Sequence, residues 1–178
     1  MTTLDDTVAY VLANPLESVG HCALLDRMTE EHEDARVALL ELVVKHPEHD
    51  GVRLAFAEWC ERNGDDKRGA FVRASVAKAQ IPTCLVTDGG GGAPVAHPDD
   101  CEYCAAKFQE LLAYVPELSV NKWHRLPRSV RVTTGGIVRG FVECVTCGAD
   151  DWLAHGDAIR REHPVTRVQL TTALSTAV

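Results

Sequence analysis

Apolar residues recur at intervals of three and four through the first 80 residues, then alternate with polar ones after about residue 129. The first spacing marks one face of a helix, the second one face of a strand. Val8, Val11 and Leu12 form a stripe that stops at Asn14-Pro15. Cys22, Leu24, Leu25 and Met28 form a second, followed by the polar run 29–34. Val37, Leu40, Val43 and Val44 make a third, ending at His46-Pro47. Val52, Leu54, Ala55, Phe56 and Trp59 make a fourth. It ends at Asn63-Gly64, where both residues tolerate the left-handed conformation that closes a helix. A fifth helix is expected over about 67–79, with Phe71, Val72 and Val76 inward.

The first four segments repeat at an interval of 32 residues. Asn14-Pro15 aligns with His46-Pro47, Ala23 with Ala55, Asp26 with Glu58 and Asp34 with Asp66. Each unit reads as a helix, a prolyl turn, a second helix and an acidic end. Two such helical hairpins can stack their apolar faces, as in helical repeat arrays.

Residues 80–100 break the pattern, because glycines 89–92 hold neither helix nor strand without a large entropic cost. A helix is expected over about 100–114, ending before Pro116. Residues 129–134 then alternate, Gly135-Gly136 turns, and 137–145 returns, which is a hairpin signal. A helix is expected to start near Gly148, with Asp150 or Asp151 as its cap, and to run to His163-Pro164. A last strand covers 165–171 and completes a parallel crossover, before a frayed tail over 173–178. The expectation is an α+β fold: N-terminal helical hairpins, a zinc-stapled loop and helix, and a small C-terminal mixed sheet with one helix. The corresponding divisions are 1–79, 80–117 and 118–178, the last a β-hairpin and βαβ unit packed on the helices.

Charge follows the same division. The formal charge of −8 is made of 10 basic and 21 acidic residues over 1–117, then 8 basic and 5 acidic over 118–178. The total argues against nucleic-acid binding over the whole surface, but the C-terminal third is basic. No apolar run approaches the roughly 18 residues of a membrane span, and the N-terminus lacks the basic start and apolar stretch of a secretory signal. A cytoplasmic protein is expected.

Seven cysteines with no export signal read as reduced thiols rather than a disulfide framework. Cys22 and Cys60 sit among apolar helical residues and read as core. Cys84, His97, Cys101 and Cys104 form the series C-x12-H-x3-C-x2-C. Zinc takes four such ligands in a tetrahedron, and a Cys-x-x-Cys pair at a helix start supplies two thiolates from one turn. A structural zinc there would explain how a glycine loop is ordered. A rival set joins Cys101 and Cys104 to Cys144 and Cys147. It requires the strand between the last two to end or bulge, because residues three apart on a strand point to opposite faces. A zinc closed by four protein ligands has no open position for water, which points to stability rather than hydrolysis.

Lys122, Trp123, Arg125, Arg128 and Arg131 make up most of a basic segment, 122–139, without an acidic residue. Interleaved basic and aromatic side chains can hold phosphates and stack on bases. The alternative is a solvated strand face, with Trp123 in the core and arginines pairing with the acidic N-terminal half. No P-loop, Rossmann glycine pattern, nucleophile elbow or His-Glu-x-x-His is present. His32, His46, His49, His155 and His163 are scattered, mostly at helix ends, and none is assigned a catalytic role.

Two stretches carry a resemblance. The first is the run 53–65, Arg-Leu-Ala-Phe-Ala-Glu-Trp-Cys-Glu-Arg-Asn-Gly-Asp, followed by Arg68-Gly69-Ala70-Phe71-Val72-Arg73. The second comprises Arg139-Gly140-Phe141-Val142-Glu143, Asp151-Trp152-Leu153 and the run 163–168. Together they resemble the repeat-companion domain of planctomycete proteins, often found beside leucine-rich-repeat-like units. The likeness covers about 36–79 and 137–171, and Glu58 stands where that pattern usually has Asp. It implies a bacterial cytoplasmic origin, an interaction context and no catalytic residue. The expected role is a non-enzymatic protein-interaction or adaptor module stabilised by structural zinc, with a protein partner. A nucleic-acid-associated protein is the alternative, and an enzyme of unrecognised type the third.

Overall fold

The computed structural model describes residues 3–80, 85–86, 95–96, 126–133 and 135–171. The chain is α+β. Five helices come first: α1 (Leu4–Ala13), α2 (Ser18–Glu31), α3 (Ala35–Lys45), α4 (Asp50–Arg62) and α5 (Asp66–Gln80). A two-residue ladder joins β1 (Leu85–Val86) to β2 (Val95–Ala96). The C-terminal part holds β3 (Arg131–Val132), β4 (Ile137–Val138), β5 (Phe141–Val142), β6 (Cys144–Cys147), α6 (Ala149–Glu162) and β7 (Arg167–Leu170).

The two helical hairpins repeat in detail. Shifting α1 and α2 by 32 residues gives 36–45 and 50–63, against 35–45 and 50–62 observed for α3 and α4. The residues that close the first helices match in backbone, Asn14 at φ −129, ψ 64 and His46 at φ −126, ψ 62. So do the residues that open the second, Glu17 at φ −83, ψ 109 and His49 at φ −96, ψ 115. Proline restricts the residue before it away from the helical region, so Asn14-Pro15 and His46-Pro47 stop each helix at the same point. Thr3 and Asp6 form a capping box on α1, and Asp34 caps α3 through the Val37 amide. Helix α2 runs to Glu31, further into the polar run than the apolar stripe indicates.

Leu24, Leu39, Val43, Val52, Ala55, Phe56, Val72 and Phe141 are buried in one core. Phe141 comes from β5, so the C-terminal part contributes directly to the helical core. A second, smaller cluster gathers Val130, Val142, Val145, Cys147 and Ile159.

The strand pairing differs from the expected hairpin. The stretch 137–145 is not one returning strand. It breaks at Arg139 (φ 48) and Gly140 (φ 85), two consecutive left-handed residues that close a tight turn between β4 and β5. Strand β3 therefore pairs antiparallel with β6 instead. Strand β7 runs parallel to β6 on its other side, giving the order β3-β6-β7 with α6 as the crossover. Helix α6 opens at Gly148, and Asp150 and Asp151 lie in its first turn rather than capping it.

Candidate functional site

The junction between helices and sheet is built around a buried arginine. Arg53 interrupts an apolar run on α4, and its side chain is fully buried. It donates to the carbonyls of Val138 (2.9 Å), Arg139 (3.4 Å) and Pro47, and to Glu143 Oε1 at 2.8 Å. Its guanidinium carbon lies 5.2 Å from the centre of the Phe141 ring. Burial pulls the Arg53 pKa down while Glu143 holds it up, and a guanidinium stays charged regardless. Glu143 fastens two more pieces through its backbone. Its amide donates to Gly136 (2.8 Å) and its carbonyl accepts from Thr166 (2.9 Å) and Arg167 (3.1 Å), at the start of β7.

The Arg139-Gly140-Phe141 turn completes this clamp. Arg139 lies 2.8 Å from Asp50 and 3.5 Å from Glu48 at the entry to α4. A Cβ at Gly140 would stand 2.8 Å from the Val72 Cα, so only glycine lets the turn approach α5 this closely. Phe141 packs against Phe56 at 5.4 Å and His163 at 6.5 Å between ring centres.

A second set of charges ties α2, α4 and α5. Arg73 bonds Glu58 (2.7 Å) and Glu61 (2.8 Å), and Arg62 bonds Asp26 (2.7 Å) and Glu58 (3.1 Å). The Glu61 hydrogen bond, set against partial burial, raises the Arg73 pKa. Arg68 is buried with its guanidinium 4.9 Å from the Phe56 ring centre. Glu58, Glu61, Arg62 and Arg73, charged members of the stretches 53–65 and 68–73, thus meet as one network, with Arg53 in the separate clamp. The apolar pattern masked their roles, because a charged residue in a helix is normally read as solvated. Arg53 alone carried a signal: a charge with two buried residues directly before it and four directly after.

Of the expected metal ligands, Cys84, His97, Cys101 and Cys104 lie outside the described residues, as do the glycine loop and the expected helix over 100–114. Among the described residues, no group of three or more His, Cys, Asp or Glu side chains is placed to hold a metal. The rival set meets a geometric obstacle. Strand β6 runs unbroken from Cys144 to Cys147, with Cys147 and Val145 on the buried face and Cys144 with Thr146 on the other. One ion cannot reach both thiols without breaking β6. Cys60 is buried and free, its thiol pushed up to about 12 by burial, so it is inert packing.

Of the basic segment, Lys122, Trp123 and Arg125 lie outside the described residues, and Arg128 and Arg131 are exposed. Arg139 belongs to the clamp. Arg131 shares the outer face of the sheet with Thr146 and Gln169, by the register of β3, β6 and β7.

Strand β7 is the outer strand of its sheet among the described residues. The amides of Arg167 and Thr171 donate toward β6, to Glu143 (3.1 Å) and Cys147 (2.9 Å). The alternation of a strand turns the Val168 and Leu170 amides and carbonyls to the open side. Leu170 is 55% exposed. No helix among the described residues is long and apolar enough to cross a membrane. Comparison with protein-family models, with curated proteins and with solved structures found no match to this chain.

Proposed function

We propose that the chain is a non-enzymatic protein-interaction or adaptor module, of the repeat-companion kind that its sequence resembles, stabilised by a structural zinc. The observation that carries this reading is the open edge of β7. A four-residue strand with outward backbone groups and an exposed leucine is suited to accept a partner strand. The Arg53–Glu143 clamp supports it, since it ties β7 to the helical core through the Glu143 carbonyl. A docking edge must be held by a stiff body if partner binding is not to spend its free energy on ordering the receptor.

The zinc rests on the four-ligand spacing, with support from the β1–β2 ladder. Leu85 pairs with Ala96 at its open end, and Cys84 and His97 are the next residues outward in the chain. Cys101 follows His97 by three intervening residues.

The test has two arms. A photo-crosslinker placed at Leu170 in cells should trap one discrete protein, and Val168→Pro should abolish the product. The Val168 amide faces away from β6, so this proline spares the fold. A product unchanged by Val168→Pro defeats the docking reading. For the metal, purified protein should carry one zinc, lost with unfolding in Cys101→Ser; metal-free protein that keeps its melting transition defeats it.

A second reading has one observation behind it. Arg128, Arg131 and Arg167 are exposed and have no carboxylate partner among the described residues. A nucleic-acid-associated role through 122–139 and the outer sheet face predicts DNA or RNA affinity that falls steeply with salt.

A further inference from the structure

We infer that the exposed face of the first helical hairpin is a self-association surface, and that the chain forms a two-fold dimer through α2. The duplication supplies the argument. On α4, Gly51, Leu54, Ala55 and Glu58 lie on one face at helical spacing, and the first three are buried. Gly51 is pressed against the first hairpin so closely that a Cβ there would stand 2.7 Å from Val11 Cγ1 and 3.0 Å from the Pro15 Cα. The residues 32 positions earlier are Val19, Cys22, Ala23 and Asp26, the same face of α2. Among the described residues Arg62 of α4 reaches its far end, at Asp26, and the rest is open: Val19 is 75% exposed, Ala23 is exposed and Cys22 only half-buried.

The open face extends into the turn before it. Leu16 is 61% exposed, and Tyr10 is 45% exposed with its ring against Gly20. Three of the six large apolar side chains exposed in the described structure therefore lie within ten residues at one end of the molecule. Monomeric proteins seldom leave such a patch open.

Charge selects the occupant. Residues 9–25 contain a single charged side chain, Glu17, in a chain that is 25% charged; Glu17 already accepts the Tyr10 hydroxyl, and Asp26 at the end of the face is neutralised by Arg62. A charged partner gains nothing there, and a second copy meets no repulsion. Within the molecule this type of face is covered by another hairpin's first helix and prolyl turn. The first hairpin of a second copy offers the outer side of the same helix and turn, at Tyr10 and Leu16, with its own face equally open. In a two-fold arrangement Tyr10 and Leu16 of one copy cover Val19, Cys22 and Ala23 of the other, and the reverse.

The experiment is sedimentation velocity on the full chain, compared with Leu16→Glu/Val19→Lys and with Leu153→Lys. Leu153 is 83% exposed on α6, so its replacement controls for general loss of surface apolarity. The wild type and Leu153→Lys should sediment with twice the chain mass, and the double variant with the chain mass and an unchanged melting temperature. A wild type that stays monomeric at micromolar concentrations overturns the proposal, and so does a dimer that survives the double variant. The β7 edge is untouched by these changes, so this outcome is independent of the strand-docking reading.

Discussion

Replacing Arg53 by methionine should cost most of the stability the chain has. Methionine is about as long as the arginine stem and keeps its apolar packing, so the loss isolates the guanidinium. That group is fully buried and serves four acceptors, Glu143 Oε1 and the carbonyls of Pro47, Val138 and Arg139. Removing it strands a carboxylate whose side chain is 11% exposed. Breaking a buried ion pair from one side costs about 3–5 kcal/mol. The stranded carbonyls add to this, though not additively, because they share one donor. Against a total of about 5–15 kcal/mol for a domain, Arg53→Met should leave a protein near the edge of folding at 25 °C.

Glu143→Gln should be much milder. The amide oxygen can still accept from Arg53, and the guanidinium keeps its three carbonyls. The change exchanges a charge-assisted hydrogen bond for a neutral one, a loss of about 1–2 kcal/mol. The double variant Arg53→Met/Glu143→Leu should recover part of the single-variant loss, because no buried charge is left unpaired. Urea unfolding followed by far-ultraviolet circular dichroism and by tryptophan fluorescence measures all three. An Arg53→Met loss of about 0.5 kcal/mol or less, the size of an ordinary surface change, would refute the clamp.

Gly140→Ala should cost about 2–4 kcal/mol, combining left-handed strain with a Cβ 2.8 Å from the Val72 Cα, whereas Gly64→Ala, also left-handed at φ 77 but with open space around it, should cost only about 1 kcal/mol. Equal losses in urea would show that the turn does not press on α5. Burial lowers the His21 pKa below its ordinary 6.5, so the folded state resists protonation more than the unfolded chain. Its contribution to stability should be complete above about pH 6.5 and decline as pH falls toward the folded pKa. Wild type should therefore lose more stability than His21→Gln between pH 7.5 and 5, and identical losses would count against the buried neutral imidazole. Cys60, with its thiol pushed up to about 12, should resist iodoacetamide at pH 8 in the native state while half-exposed Cys22 and Cys144 react; mass mapping of the alkylated sites decides it.

The helical hairpins were legible because apolar spacing and proline act locally. The stops of α1, α3 and α4, at Asn14-Pro15, His46-Pro47 and Asn63-Gly64, sit on residue pairs whose backbone preference needs no tertiary partner, whereas α2, with no such pair, runs on to Glu31. The sheet was less so. The run 137–145 has the apolar content of a strand, but its break depends on Arg139 accepting φ 48, which is uncommon for a residue with a Cβ. The ion pairs with Asp50 and Glu48 at the entry to α4 hold it there, and those contacts span about 90 residues of sequence. The Arg53–Glu143 pairing was hidden for the same reason: Arg53 stands out within its apolar run, but Glu143 is not unusual beside its sequence neighbours and nothing local joins the two. The parity of β6, by contrast, follows from its period alone, so the obstacle to a metal shared by Cys144 and Cys147 was visible before any coordinates.

The duplication shows how the clamp arises from a simpler device. His21 and Arg53 are separated by 32 residues and occupy the same turn of α2 and α4. Each places a side-chain nitrogen on the carbonyl of the proline in its own turn, His21 on Pro15 at 2.9 Å and Arg53 on Pro47. A proline that ends a helix leaves nearby carbonyls without intrahelical partners, so both hairpins need a buried donor at this position. An imidazole satisfies that need and reaches no further. A guanidinium has donors to spare, and in the second hairpin they extend to Val138, Arg139 and Glu143. The same local requirement thus produces a self-contained unit when met by histidine and a docking latch when met by arginine. This asymmetry accounts for the sheet sitting on the second hairpin.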